Sequence, residues 1–183
     1  VLLLWSIMNI NAGSSNGGFP NIFGKGFLSV QSNSMTRDES FKVSDSLQNE
    51  YDSYSIGEFG KGDLLNVNVF NTNNFDDLKV GDVITFYDES IKALNSHRVV
   101  YLTKNSEGHT ETLTVQGDYS VWIYGRYCGS ENPQLSSELL GRGDAKTFST
   151  GNASDIKGVS SLEISSILSS SSTIVITSGN LAI

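Results

Sequence analysis

Cysteine and proline are nearly absent from the 183 residues: one Cys and two Pro, against 18 Gly. A single thiol, Cys128, excludes an intrachain disulfide, and no C-x-x-C spacing exists to hold a metal. Its neighbours Tyr127 and Gly129 supply no base, so Cys128 reads as a small apolar side chain, with a nucleophile as the weaker alternative. Basic residues are scarce as well. Twelve Lys and Arg face twenty Asp and Glu, for a formal charge of −8. No Lys/Arg cluster forms, which removes the electrostatic footprint of nucleic-acid binding. Long apolar runs are lacking too. The opening Val1-Leu2-Leu3-Leu4-Trp5, continued by Ile7, Met8 and Ile10, falls short of the roughly 20 residues that cross a bilayer. It fits the outer end of a membrane anchor over residues 1–10, with Trp5 at the interface, or else a buried N-terminal strand or helix.

What is abundant is Gly, Ser and Asn between short apolar stretches, which suits a β-rich chain with many turns. Residues 11–25 read as a linker, turn-rich through Asn21. Gly26-Phe27-Leu28-Ser29-Val30-Gln31 reads as a strand running into Ser32-Asn33-Ser34-Met35. Residues 36–58 are polar without a clear period and are expected to form an exposed insertion or long loop, with a helical turn near 41–47. Leu65, Val67 and Val69 alternate with Asn66 and Asn68, the period of a half-buried strand. Further strands are expected at 83–87, 97–102 and 112–116, with a hairpin tip at 105–108. This spacing predicts a mostly β fold, an antiparallel barrel or sandwich with short helices. Residues 149–183 are Ser-rich. Ile156, Val159, Leu162 and Ile164 fit a weak amphipathic helix, a flexible stalk fits equally, and the tail fits a strand or the approach to a second span.

Two histidines limit the search for a general base. His97 opens an apolar strand, and an imidazole titrates near about 6.5 without special tuning. A lone His at a strand end is more often structural, and both readings stay open on the residue alone. His109 sits beside a hairpin tip and reads as inert. Lys92 and Lys104 lie in polar stretches, where the desolvation a basic lysine needs is missing. Ser34 lies in a small polar turn. Asp118 follows Gly117 in a turn, where a carboxylate commonly accepts backbone N–H groups.

Five segments in order resemble signal peptidase I, in particular the Ser–His branch shared by archaea, the endoplasmic reticulum and some Gram-positive bacteria. Ser32-Asn33-Ser34-Met35 resembles the Ser-Gly-Ser-Met box. Gly62-Asp63-Leu64 resembles the Arg-Gly-Asp-Leu strand start, and Val80-Gly81-Asp82-Val83 with Phe86 the Val-Gly-Asp-Val-x-x-Phe segment. Ser96-His97-Arg98-Val99 is similar to the His-Arg-Val box, and Leu113-Thr114-Val115-Gln116-Gly117-Asp118 to Leu-Thr-x-Lys-Gly-Asp. Leu139-Leu140-Gly141-Arg142 echoes a later strand. The likeness covers roughly residues 26–148, the expected catalytic β domain.

The resemblance implies a membrane-bound serine endopeptidase of the extracytoplasmic face that removes signal peptides from exported preproteins. Ser34 would be the nucleophile, His97 the general base and Asp118 the residue that orients it or supports the site through a hydrogen-bonded turn. The Ser34 N–H and the Ser32 hydroxyl would stabilise the oxyanion. Met35 and the strand at 27–31 would line a cleft taking an extended substrate with small side chains. The implied partners are signal peptides and membrane lipid, with accessory subunits open. No metal or organic cofactor is called for. The alternative is a catalytically impaired extracytoplasmic binding module of the same fold. The sequence departs from the family at Asn33, where Gly is usual, and in a longer spacing between Met35 and Gly62. A second acid expected a few positions after Asp118 is missing from residues 119–124, with Glu131 the displaced candidate. Arg142-Gly143-Asp144 matches a cell-adhesion tripeptide, a match that chance often produces.

Overall fold

The structure, a computed structural model, describes residues 19–126 and 144–160. The expected anchor at 1–10, most of the linker, Cys128, Glu131, 139–142 and the tail beyond 160 lie outside the described residues. The strands are β1 (Asn21–Ile22), β2 (Lys25–Ser29), β3 (Leu64–Val69), β4 (Val83–Asp88), β5 (Ala93–Lys104), β6 (Thr110–Gln116), β7 (Lys146–Ser149) and β8 (Ile156–Ser160). Two helices, α1 (Asp45–Asp52) and α2 (Asp118–Tyr124), and 3₁₀ turns at Thr72–Asp77 and Thr150–Asp155 complete the elements among the described residues.

All eight strands join one antiparallel sheet in the order β1-β2-β3-β8-β4-β5-β6-β7. The expectation of a mostly β, antiparallel fold therefore holds. The pairing makes a single open sheet, in which β1 and β7 are the outer strands, where a closed barrel or two-sheet sandwich was expected. Residues 156–160 form neither the amphipathic helix nor the flexible stalk that the sequence left open. They are a strand wedged between β3 and β4. Ile156, Gly158 and Ser160 are buried at period two, and a Cβ on Gly158 would collide with Val67 and the Asn68 carbonyl. The sheet thus runs well past residue 148.

Side chains alternate across the strands, and both faces are covered. On one face Ile84, Phe86, Val99, Leu113, Val115, Phe148 and Ile156 pack with Phe75 and Ala153 from the 3₁₀ turns and with Leu78, which caps the first of them. On the other, Val83, Leu65 and Val67 pack with Phe19, Met35 and Phe59. Val100 packs beside Tyr51, Val121 and Trp122. Burying each such side chain is worth about 1.5–3 kcal/mol. Val69, expected inside, is exposed at the strand end.

Residues 36–58 are not a loose loop. Ser44 caps α1 through Leu47 N–H, and α1 delivers Tyr51, fully buried, edge-on to Trp122 of α2 with ring centres 4.9 Å apart.

Candidate functional site

Ser34 sits on a turn that follows β2. Val30 donates to Asp63 C=O (2.9 Å) and accepts from Gly62 N–H (3.0 Å), which extends the β2–β3 pairing to the edge of that turn. Asn33 C=O accepts from Thr36 N–H (3.1 Å) and Oγ1 (2.8 Å), while Asn33 Oδ1 accepts from Lys61 N–H (2.8 Å). The Asn33 side chain thus ties the turn to the loop at 60–62. Met35 is buried and its carbonyl accepts from Phe59 N–H (3.3 Å). The Ser34 hydroxyl lies 3.2 Å from Ser32 Oγ, and Ser34 N–H points at the same oxygen from 3.5 Å.

His97 lies mid-sheet on β5, opposite Ile84 and edge-on to Phe86. It is 1 % exposed. Its Nε2 is 3.3 Å from Asp144 Oδ2, close enough for an ion pair, yet neither ring nitrogen has an aligned hydrogen-bond partner. No hydrogen bond joins it to Ser34. Burial pushes the imidazole below its ordinary pKa, and the Asp144 carboxylate opposes that push.

Asp144 also accepts from Gly117 N–H (3.3 Å). A Cβ on Gly117 would collide with both the Asp144 carboxylate and the Ser34 carbonyl. The bare α-carbon therefore lets the Ser34 turn and the partner of His97 meet at one point. Tyr119 N–H donates to Ser34 C=O (3.0 Å) and fixes the turn against α2.

Asp118, expected to orient His97, is paired elsewhere. Its two oxygens accept from Arg98 Nε (2.9 Å) and Nη2 (2.8 Å). The remaining Arg98 N–H groups go to the carbonyls of Ile56 (2.8 Å), Gly57 (3.0 Å) and Gly81 (3.0 Å), so all five donors are used. Arg98 also stacks on Tyr51 and Tyr54. Burial pushes the Asp118 carboxyl up, and the Arg98 guanidinium pulls it back. Alternation on β5 explains the split: His97 and Arg98 are neighbours, so they face opposite sides of the sheet, each toward its own carboxylate.

The carboxylate on His97 is one that sequence reasoning passed over as part of an adhesion tripeptide. Strand pairing brings it there. Val115 faces Lys146 in the β6–β7 ladder, and continuing that antiparallel register by two residues sets Gly117 beside Asp144. His109, read as inert, lies exposed and pairs with Asp76 at 2.8 Å.

A cleft of about 230 Å³ opens beside Ser34, floored by Leu28, Val30, Phe59, Leu65 and Leu94. Two strand edges border it. β2 pairs with β1 only at Lys25 and Gly26, and β5 meets β6 only from Arg98 onward. Among the described residues, 27–32 and 93–96 thus each keep one side free of strand partners. The free edges are occupied by side-chain amides: Gln31 Nε2 donates to Ser29 C=O (3.3 Å), and Ser96 N–H donates to Asn95 Oδ1 (2.9 Å).

No model of a known family, no curated protein and no solved structure matches the chain. Among the described residues, no helix is long and apolar enough to cross a membrane, and no three metal-ligating side chains cluster.

Proposed function

We propose that the chain is the extracytoplasmic catalytic part of a signal peptidase I-type serine endopeptidase, with Ser34 as nucleophile, His97 as general base and Asp144, in place of Asp118, as the carboxylate that holds the base. The observation that carries this reading is the convergence of Ser34 and the His97–Asp144 pair on Gly117. A buried imidazole beside one carboxylate, which meets at Gly117 the carbonyl of a serine bordering an apolar cleft, has the ingredients of a proton-relaying triad.

In this reading an extended signal peptide lies in the cleft and adds to the free edges at 27–32 and 93–96, displacing the Gln31 and Asn95 amides. The confined apolar walls favour small side chains. Ser34 Oγ rotates from Ser32 toward His97, and the Ser34 O–H bond breaks as Oγ attacks the scissile carbonyl. With Nε2–H facing Asp144, the lone pair on Nδ1 takes that proton and later gives it to the leaving amine. Asp144 stabilises the imidazolium. Ser34 N–H and the Ser32 hydroxyl face the oxyanion. Water then releases the acyl group. The signal-peptide substrate sets the location proposed, at the outer face of a membrane with lipid close by.

A second reading is a binding module of the same fold that does not cleave. It is favoured by one observation: Ser34 is bonded to Ser32, while both His97 nitrogens are sealed from solvent. A signal-peptide-bearing substrate separates the two. Processing by the wild type that is lost in Ser34→Ala and His97→Ala supports the peptidase. Equal processing by all three removes it, and retained peptide binding without processing selects the module.

A further inference from the structure

Ser34 borders a second cavity on its other side. This one is open, about 510 Å³, and lined by Asn33, Thr36, Arg37, Asp38, Glu39 and Tyr119. Among the described residues, Ser34 alone lines both cavities. The two differ in chemistry. The first is floored by aliphatic and aromatic side chains, and the second is polar with three charged residues. A chain crossing the Ser34 hydroxyl would enter through one and leave through the other.

Among the described residues, the charge lining the second cavity is not balanced. The Arg37 guanidinium turns inward: it donates to Asp52 (2.6 Å) and to Tyr51 C=O (3.2 Å), and it stacks on Trp122. Its positive charge is matched by Asp52, so it does not neutralise the acids at the cavity. Asp38 accepts from Ser40 N–H (3.0 Å) and Oγ (2.6 Å), which holds its carboxyl below the ordinary range and keeps it ionised at neutral pH. Glu39 is exposed beside it.

From this geometry we infer that the Asp38–Glu39 cavity receives the residues after the scissile bond and selects for a cationic side chain, Lys or Arg, within the first few residues of the released chain. The inference rests on the peptidase reading of Ser34. It assigns residues 36–39, the start of the insertion, a role in choosing which mature N-termini are cut efficiently. Two carboxylates near one partly exposed cation are worth about a three- to tenfold preference, and 0.5 M salt should erase most of it.

The test uses two peptides identical through the cleavage site, with Lys or Glu at the second position after it. The wild type should cleave the Lys peptide about three- to tenfold faster in kcat/KM, and Asp38→Asn/Glu39→Gln should level the two. Binding of both peptides to Ser34→Ala gives a readout independent of cleavage. Equal binding and equal cleavage of the two peptides would overturn the inference. Selective binding that the double variant abolishes, with no cleavage by the wild type, would keep the cavity's charge selectivity and overturn the peptidase reading instead.

Discussion

Exchanging Asp118 and Asp144 for Asn, one at a time, tests the assignment most directly, because the two carboxylates have opposite environments. Asp118 is fully buried against Arg98, which places all five N–H donors on it and on three carbonyls. Asp118→Asn removes the counter-charge and leaves a buried guanidinium unpaired. The expected cost is about 3–5 kcal/mol. For a chain of this length that is a fall of roughly 6–20 °C in Tm. Asp144 is different. Its side chain is 29 % exposed, and its Asn variant keeps a carbonyl oxygen to face Gly117 N–H. Stability should change by less than about 1 kcal/mol. Activity should fall about 10²- to 10⁴-fold in kcat, because the imidazolium loses its partner and the ring its fixed tautomer. The acid limb of the rate should also move further down in pH, since the carboxylate that opposes desolvation of His97 is gone. Thermal unfolding by circular dichroism and cleavage of a signal-peptide substrate, run on both variants below the Tm of each, give the four numbers needed. Normal activity in Asp144→Asn, or a well-folded Asp118→Asn whose kcat alone collapses, would refute the assignment.

The His97 pKa is depressed by burial, so the neutral base should persist below about pH 6.5, and kcat/KM should decline only beneath that value. A midpoint above 6.5 in the rate profile contradicts this. The same depression has a sign for stability. The unfolded state binds the proton more readily, so folding free energy should be full above about 6.5 and lost as pH falls from there toward the lower folded-state pKa. Urea midpoints across pH 7 to 5 should drop in the wild type and drop less in His97→Gln. Gly117→Ala keeps an ordinary φ of −70°, so its effect comes from contact alone: the methyl meets Asp144 and the Ser34 carbonyl. A loss of about 1–3 kcal/mol is expected, with kcat lowered beyond what unfolding explains; unchanged stability in urea and unchanged kcat would mean the three groups do not meet there. Tyr51→Phe removes a buried hydroxyl that has no hydrogen-bond partner, so the change should be neutral or stabilising. A destabilisation above about 1 kcal/mol in urea unfolding would show that the hydroxyl is satisfied.

Much of the sheet was legible because its signals are local. Strands β4, β5 and β6 follow from apolar stretches bounded by Gly81-Asp82, the tip at 105–108 and Gly117. The C-terminal strand β8 was not legible. Ile156-Lys157-Gly158-Val159-Ser160 is too short to fix a period, and its role depends on a gap between β3 and β4 that only the assembled sheet contains. The 36–58 segment was misread for a related reason. Its polar composition hides one decisive side chain, Tyr51, whose burial depends on Trp122, Arg37 and Arg98 arriving from elsewhere. At the site, Ser34 and His97 were singled out only by the order of motifs that resemble a known family, since each alone is a weak signal. Asp144 was not, because what assigns it is register in the β6–β7 pairing.

The two faces of β5 place two acids close to one histidine in different surroundings, and the proposed peptidase reading gives each a separate task. Arg98 and Asp118 bind the insertion to the sheet, since the Arg98 donors reach Ile56 and Gly57 and its plane stacks on Tyr51 and Tyr54. Arg37 adds a second tie, from the residue three past Ser34 to Asp52 and Tyr51. The Ser34 turn is therefore braced from the face opposite His97. A clamp of that sort has to be rigid and neutralised, which a five-donor arginine and a buried carboxylate supply. The carboxylate beside the base has the reverse requirement. It must tolerate a proton arriving on and leaving the imidazole, so a partly exposed Asp144 suits it better than the fully buried Asp118. Under the proposed reading the same strand separates holding Ser34 in place from moving its proton, and the side-chain alternation of a β-strand keeps the two carboxylates on opposite faces.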